Sequence, residues 1–130
     1  MSRAATRAPG PERRVTHDLI ESDKVVGTNI YRPNGDKIGK IERLMIDKFS
    51  GQVAYAVMSF GGFLGLGHEH YPVPWALLDY EKKFAGFAVN ISDDQLKNAP
   101  KFDPGEDWDW TDSKRGATVY DYYRVRPYWI

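Results

Sequence analysis

The segment from Gln52 to Phe60 is apolar on both faces of an extended chain, and this feature restricts the fold more than any other. Successive side chains of a β-strand point to opposite faces. One face carries Val53, Tyr55 and Val57, and the other carries Ala54, Ala56, Met58 and Phe60. Only a strand inside a sheet that is covered on both sides buries both sets. We therefore expect Gln52–Phe60 to be a central strand.

A hairpin is predicted immediately before this strand. Asn34-Gly35 lies between the β-rich segments Asn29–Tyr31 and Lys37–Ile46. Asn-Gly between such segments is a strong hairpin signal, because both residues tolerate the positive φ of a tight turn. A second turn is predicted at Ser50-Gly51, so two consecutive connections join antiparallel neighbours.

The strand after the Asn-Gly turn does not alternate cleanly between apolar and polar residues. Ile38, Ile41 and Leu44 are three residues apart, which is also the spacing of an amphipathic helix. Turn residues at both ends, the β-branched residues and a glycine inside the run favour a strongly coiled strand instead. We expect its phase to be shifted by a bulge near Gly39.

The next elements are short. Pro72 and Pro74 each remove a ladder donor, so the extended piece that contains them belongs at a sheet edge. Leu77–Tyr80 and Phe84–Ile91 form a further hairpin in this interpretation. Ser92 is a good N-cap for a short helix that ends near Ala99, with two acidic residues in its first turn.

These elements predict an all-β fold, a small β-barrel or closely coiled sheet, because closure removes exposed edges. Residues 1–14 are expected to form a flexible N-terminal tail, since they hold almost no large apolar side chain. Residues 15–102 form the barrel domain, and residues 103–130 are an aromatic C-terminal extension. The chain of 130 residues thus contains one core.

Charge and cysteine content restrict the function. Eighteen Lys and Arg balance eighteen Asp and Glu, so no overall positive field favours nucleic acid. The chain has no cysteine, which excludes disulfides, thiolate metal sites and a cysteine nucleophile. No apolar run is long enough to cross a bilayer or to act as a secretory signal. We expect a cytoplasmic protein without membrane insertion.

Three groups of residues suggest chemistry, and each has a simpler interpretation. His68, Glu69 and His70 resemble metal ligands, and on a strand His68 and His70 would share one face. A metal site needs at least three converging ligands, and no further histidine lies nearby. The favoured interpretation is therefore exposed polar residues on an edge strand. The acidic pairs 93–94 and 106–107 suit helix capping and solubility better than acid–base catalysis. The glycine-rich run 61–67 lacks the lysine and the following helix of a phosphate-binding loop. We expect no cofactor.

Apolar residues in loops and in the extension are the better candidates for function. Phe63 and Leu66 lie in the glycine-rich run, where they either plug the end of the barrel or contact a partner. The extension carries Tyr120, Tyr122, Tyr123, Tyr128 and Trp129. These rings pack on their own barrel or across a homodimer. Arg124 and Arg126 among them suggest RNA stacking, which the acidic segment upstream disfavours.

The sequence from Val25 to Phe102 resembles the stand-alone bacterial members of the PRC-barrel family. The resemblance is carried by Asn34-Gly35, by the string from Ser59 to Gly67 and by Val73-Pro74-Trp75. It implies a six-stranded barrel with a short helix after the last strand. Such a barrel is similar to the cytoplasmic domain of the photosynthetic reaction centre H subunit and to the C-terminal domain of the ribosome maturation factor RimM.

Both of these relatives act by docking onto larger assemblies, so the resemblance implies a non-catalytic protein-binding or assembly module. Its partner is a protein whose identity the sequence does not give. The contact residues in this hypothesis are Phe63, Leu66, Trp75, Tyr122, Tyr123, Tyr128 and Trp129. The alternatives are a small metal- or ligand-dependent enzyme built on His68, Glu69 and His70, and, more weakly, an RNA- or ribosome-associated factor.

Overall fold

The computed structural model describes residues 19–60, 69–105 and 108–129. The predicted N-terminal tail lies outside these residues. The strands are β1 (Asn29–Tyr31), β2 (Lys37–Ile46), β3 (Val53–Ser59), β4 (His70–Pro74), β5 (Asp79–Glu81) and β6 (Gly86–Ala88). The α-helices are α1 (Ser22–Val25), α2 (Asp93–Asn98) and α3 (Ser113–Tyr123), and short 3₁₀ turns cover Trp75–Leu77 and Lys82–Phe84.

The six strands form one sheet in the order β4-β3-β2-β1-β6-β5. All neighbours are antiparallel except β1 and β6, which run parallel. β3 lies between β2 and β4 and is buried from Ala54 to Met58, which confirms the predicted central strand. β4 lies at the edge of the sheet, as its two prolines predicted.

The long strand β2 contains the predicted bulge. Ile30 of β1 is opposite Gly39, but the next residue, Tyr31, is opposite Lys37, so one residue of β2 has no partner. A Cβ atom on Gly39 would lie 2.2 Å from the Ser59 carbonyl oxygen. Only glycine therefore fits where β2 passes this close to β3. Two further register shifts against β3 increase the coiling of the strand.

The connection between β1 and β2 is wider than a two-residue turn. The Arg32 N–H donates to the Asp36 carbonyl at 2.8 Å, and the Gly35 N–H donates to the Arg32 carbonyl at 2.8 Å. Of the two predicted turn residues, Gly35 has a positive φ, of 98°, and Asn34 does not. Asn34 instead accepts the Asp36 N–H with its side chain. The hairpin is thus confirmed, with a longer loop.

The sheet curls strongly, but its hydrogen-bond ladder does not close into a barrel. Trp75 directly follows β4, and its ring lies 5.3 Å from that of Phe87 on β6. In a flat sheet the four steps from β4 to β6 would separate these strands by roughly 19 Å. Among the described strands no pairing joins β4 to β5. The 3₁₀ turn Trp75–Leu77 bridges the two edges instead.

Two helices follow the last strand. α2 begins with the predicted cap: the Gln95 N–H donates to Ser92 Oγ, and the Gln95 side chain accepts the Ser92 N–H. α3 was not predicted from the sequence. Its N-cap is Asp112, and it ends at Arg124, which adopts the left-handed conformation with φ 57°. Among the described residues, no helix has the length and apolar content needed to cross a membrane.

Gly39→Ala tests whether the close approach of β2 to β3 is essential for the fold. The added methyl group would clash with backbone, so we expect a loss of about 1–3 kcal/mol in the free energy of unfolding, measured by chemical denaturation. Gly105→Ala is the matched control, because nothing lies within 4 Å of its Cβ position and its φ is ordinary. Equal stability of the two variants would contradict this account of β2.

Candidate functional site

The C-terminal extension covers one face of β3. Tyr120 of α3 donates its hydroxyl to the Ala54 carbonyl at 2.7 Å, and its ring lies 5.3 Å from Tyr55. Ala54 has no register partner on β2, because the ladder shifts between Met45 and Ile46. The helix therefore supplies a hydrogen-bond donor to the backbone at the point where the register of the sheet is irregular.

Aromatic rings continue from this contact in two directions. Tyr55 contacts Trp110 at a centroid distance of 5.5 Å, and Trp110 contacts Phe102 at 6.0 Å. On the other side, Tyr120 contacts Trp129 at 5.4 Å. Offset and edge-on pairs of this kind stabilise by about 0.5–1.5 kcal/mol beyond the area that they bury. The extension is thus held to the sheet mainly by ring contacts.

A cleft of about 270 Å³ opens between the start of α3 and the C-terminal residues. Four of its lining residues are aromatic: Tyr55, Trp110, Tyr128 and Trp129. The other four are small or polar: Thr111, Asp112, Ser113 and Gly116. We refer to this feature as the aromatic cleft. Its volume suits a small chemical group, since pockets for drug-sized ligands begin near 300 Å³.

Gly116 forms part of the cleft lining although it lies in the first half of α3. Glycine inside a helix costs roughly 1 kcal/mol relative to alanine. A Cβ atom here would lie 3.1 Å from Tyr55 Oη and 3.4 Å from Cη2 of Trp129. The missing side chain therefore provides the space in which these two rings approach the helix.

The phenols around the cleft are neutral at physiological pH. Burial, with a smaller contribution from Tyr128, raises the pKa of Tyr55 to about 12. Burial likewise raises the pKa of Tyr120, and the neighbouring Tyr55 and Tyr128 add to this effect. Neutral phenols of such high pKa present electron-rich ring faces and do not act as bases near pH 7.

A second surface feature lies at the hairpin between β2 and β3. Phe49 is 97% exposed, and Ile46 at the end of β2 is 54% exposed. The turn beneath Phe49 is well ordered by hydrogen bonds: Asp47 Oδ2 accepts the Ser50 N–H at 2.8 Å and the Ser50 hydroxyl at 2.7 Å. These bonds lower the pKa of Asp47. The turn thus presents an apolar ring to solvent in a defined geometry.

The hairpin contributes to the electrostatic environment of Tyr128. Burial raises the pKa of Tyr128, and the Asp47 carboxylate of the hairpin raises it further. The Tyr128 ring is 5.2 Å from that of Trp129, which is 50% exposed. We call the two exposed hairpin residues, Ile46 and Phe49, the contact surface.

The contact residues predicted from the sequence have different environments. Tyr128 and Trp129 line the aromatic cleft. Trp75 is half-buried against Phe87, and Tyr122 is half-buried and donates its hydroxyl to the Gln95 carbonyl at 2.6 Å. Tyr123 lies in the core at 9% exposure and contributes to packing. Phe63 and Leu66 lie outside the described residues.

The proposed metal ligands are not brought together by the described part of the chain. His68 lies outside it, and so does the acidic pair Glu106 and Asp107. His70 begins β4, with its ring 5.7 Å from Phe102 and a backbone bridge to the same residue. Over the described ranges, no group of three His, Asp or Glu side chains is placed to hold a metal ion.

Sequence reasoning missed the residues that define both features. Phe49 was overlooked because a single apolar residue beside a turn is common on protein surfaces. Gly116 and Asp112 were overlooked because α3 was not expected. The available signal was Asp112 as an N-cap, followed by buried residues at Val119, Tyr120 and Tyr123 with helical spacing.

The comparison with protein families gives a match to the PRC-barrel domain over residues 17–95. The chain belongs to the PRC-barrel family. The match ends before the extension, so Tyr55 is the one cleft residue inside the matched region of this PRC-barrel chain. A search of curated proteins gives no match.

Tyr120→Phe tests how the extension is attached to the PRC-barrel sheet. Removing the hydroxyl leaves the buried Ala54 carbonyl without its donor, so we expect a loss of about 1–2 kcal/mol in the free energy of unfolding. Tyr123→Phe is the matched control, because its buried hydroxyl has no hydrogen-bond partner among the described residues. We expect that variant to be as stable as the wild type or slightly more so. The reverse order of stabilities would exclude this hydrogen bond as an anchor.

The tyrosine pKa values also predict instability in alkali. At a pH between the unfolded and folded pKa values, a buried phenol keeps its proton in the folded state, whereas the same phenol has lost its proton in the unfolded chain. The stability from Tyr55 is therefore complete below pH 10 and is lost as the pH rises towards about 12. Denaturation at a series of alkaline pH values should show this fall, and Tyr55→Phe should reduce its slope. An unchanged slope would show that Tyr55 is not the group responsible.

Proposed function

We propose that this PRC-barrel chain is a non-catalytic protein-binding module that docks through its contact surface. The observation that carries the proposal is the exposure of Phe49 on a turn ordered by hydrogen bonds. An exposed Phe on a mobile loop gains little on binding, because ordering the loop costs free energy. Phe49 avoids most of that cost, since the Asp47 side chain already orders its turn.

The magnitudes support a role for these residues as anchors. Burial of one large apolar side chain stabilises a complex by about 1.5–3 kcal/mol. A few anchors of this size dominate the affinity of typical protein interfaces, and aromatic residues are enriched among them. Phe49 and Ile46 are among the most exposed large apolar residues of the described chain.

The polar groups near the contact surface favour binding rather than catalysis. The buried phenols remain neutral near pH 7 because their pKa values are raised. The pKa of Asp47 is lowered, so its carboxylate is a weak base, and its Oδ2 accepts two hydrogen bonds from Ser50. Groups with these properties hold a surface in shape, whereas a general acid or base needs a pKa near the working pH.

The sequence-based residues Phe63 and Leu66 remain part of the proposal as a separate contact region. They follow Phe60 in the sequence, whereas Phe49 precedes β3. The partner in this proposal is either another protein or a second copy of the chain.

Phe49→Asp tests the contact surface. We expect the variant to fold normally and to lose at least about tenfold in affinity for the partner, because one anchor is replaced by a charge. Wild type and variant are used as bait in lysate of the source cells, captured proteins are quantified by mass spectrometry, and affinities are measured with the purified candidates. Sedimentation of the purified chain tests the second-copy case in the same way.

Val26→Asp is the matched control for this experiment. Val26 is also an exposed apolar residue, at 43%, but it precedes Gly27, whose N–H bonds to Ile41 in the first half of β2. It therefore lies well away from the hairpin. Loss of binding in Phe49→Asp alone supports the contact surface. Equal capture and equal sedimentation of all three proteins would contradict it.

A further inference from the structure

The geometry points to the aromatic cleft as a binding site for a quaternary ammonium group. Rings of Tyr55, Trp110, Tyr128 and Trp129 line one small opening. The Tyr128 and Trp129 rings stand at 85° to each other, and those of Tyr55 and Trp110 at 47°. Several aromatic residues around one small opening are the lining expected of an aromatic cage, the arrangement that binds cations by their ring quadrupoles.

Two carboxylates lie at or beside the opening. Asp112 lines the cleft, and Asp109 is next in sequence to the lining residue Trp110. Hydrogen bonds from Thr111 lower the pKa of Asp109, so this carboxylate is ionised at neutral pH. Arg115 opposes them: its Nε lies 3.7 Å from Asp112 Oδ2, and its guanidinium lies 4.9 Å from the Trp108 ring. The guanidinium thus pairs with Asp112 on the helix and stacks on Trp108, which does not line the cleft.

The supply of hydrogen-bond acceptors selects the kind of cation. Oδ1 of Asp112 already accepts the N–H groups of Lys114 and Arg115, at 2.9 and 3.4 Å. The Thr111 hydroxyl donates to Asp109 at 2.6 Å. A primary ammonium carries three donors that need partners, whereas a quaternary ammonium carries none. Oδ1 of each carboxylate is thus occupied, and the aromatic ring faces carry no strong acceptor, so the cleft fits the quaternary group better.

Two observations indicate that the opening is maintained by the sequence. Gly116 leaves the space that a Cβ atom would fill against Tyr55 and Trp129. Trp129 remains half-exposed although its ring contacts those of Tyr120 and Tyr128. This lining residue of the cleft is thus accessible from solvent and held by two ring contacts.

The test compares choline with its uncharged isostere, 3,3-dimethyl-1-butanol. In this isostere a carbon atom replaces the quaternary nitrogen, so the shape is kept and the positive charge is lost. Each is titrated into the full chain while the indole N–H signals of Trp110 and Trp129 are followed by NMR. We expect choline to shift both signals and to bind at least about tenfold more tightly than the isostere, because only choline gains the cation–π attraction. Equal binding of the two compounds, or no shift at these indoles, would overturn the assignment.

Variants separate the cleft from the rest of the molecule. Trp129→Leu removes one wall, and Asp112→Asn removes the charge while keeping a good helix N-cap. Both should weaken choline binding several-fold with an unchanged circular dichroism spectrum. Phe49→Leu should bind choline normally, so failure here and failure of the proposed protein-binding surface are distinguishable. Wild-type affinity in both cleft variants would exclude this site.

The same head group occurs on small molecules and on trimethylated lysine side chains. Comparing choline with the acetylated amide of trimethyllysine distinguishes the two sources. Tighter binding of choline supports a free small molecule, and tighter binding of the lysine derivative supports a modified protein.

Discussion

The packing of α3 against β3 is the interaction on which the surface of this protein depends. The Tyr120 hydroxyl reaches the Ala54 carbonyl, and the ring contacts Tyr55 beside it. This contact holds the second half of α3 against β3, and the helix ends just beyond it at Arg124, which is in the left-handed conformation. The aromatic cleft and the exposed position of Trp129 both follow from that placement. Without it, the Tyr55 face of β3 would be exposed to solvent.

The bulged strand β2 creates the conditions for this packing. Its irregular register leaves Ala54 without a ladder partner, and its close approach at Gly39 coils the sheet. Coiling brings Trp75 onto Phe87 and allows a short 3₁₀ turn to bridge edges that a flat sheet would hold far apart. The unclosed ladder is therefore compatible with a compact core, because side chains and a chain connection cover the gap.

The sequence predicts the parts of this structure that local chemistry determines. The apolar run in β3, the prolines of β4, the Ser92 cap and the bulge near Gly39 were all expected, because each depends on a few neighbouring residues. α3 was not expected, since its Val119 and its tyrosines favour strands by intrinsic propensity, and helical packing on Tyr55 overrides that preference. The open ladder and the aromatic cleft depend on contacts between residues far apart in sequence, which periodicity does not reveal.

The two surfaces have different origins within the chain. Phe49 and Ile46 belong to the region matched by the PRC-barrel family, whereas all cleft residues except Tyr55 come from the extension beyond it. Tyr128 links them electrostatically, because it lines the cleft and the Asp47 carboxylate of the hairpin adds to its raised pKa. Effects at sites without shared partners add nearly independently. We therefore expect occupancy of the cleft and binding at the hairpin to be nearly independent, with Tyr128 as the residue at which any coupling between them would be measured.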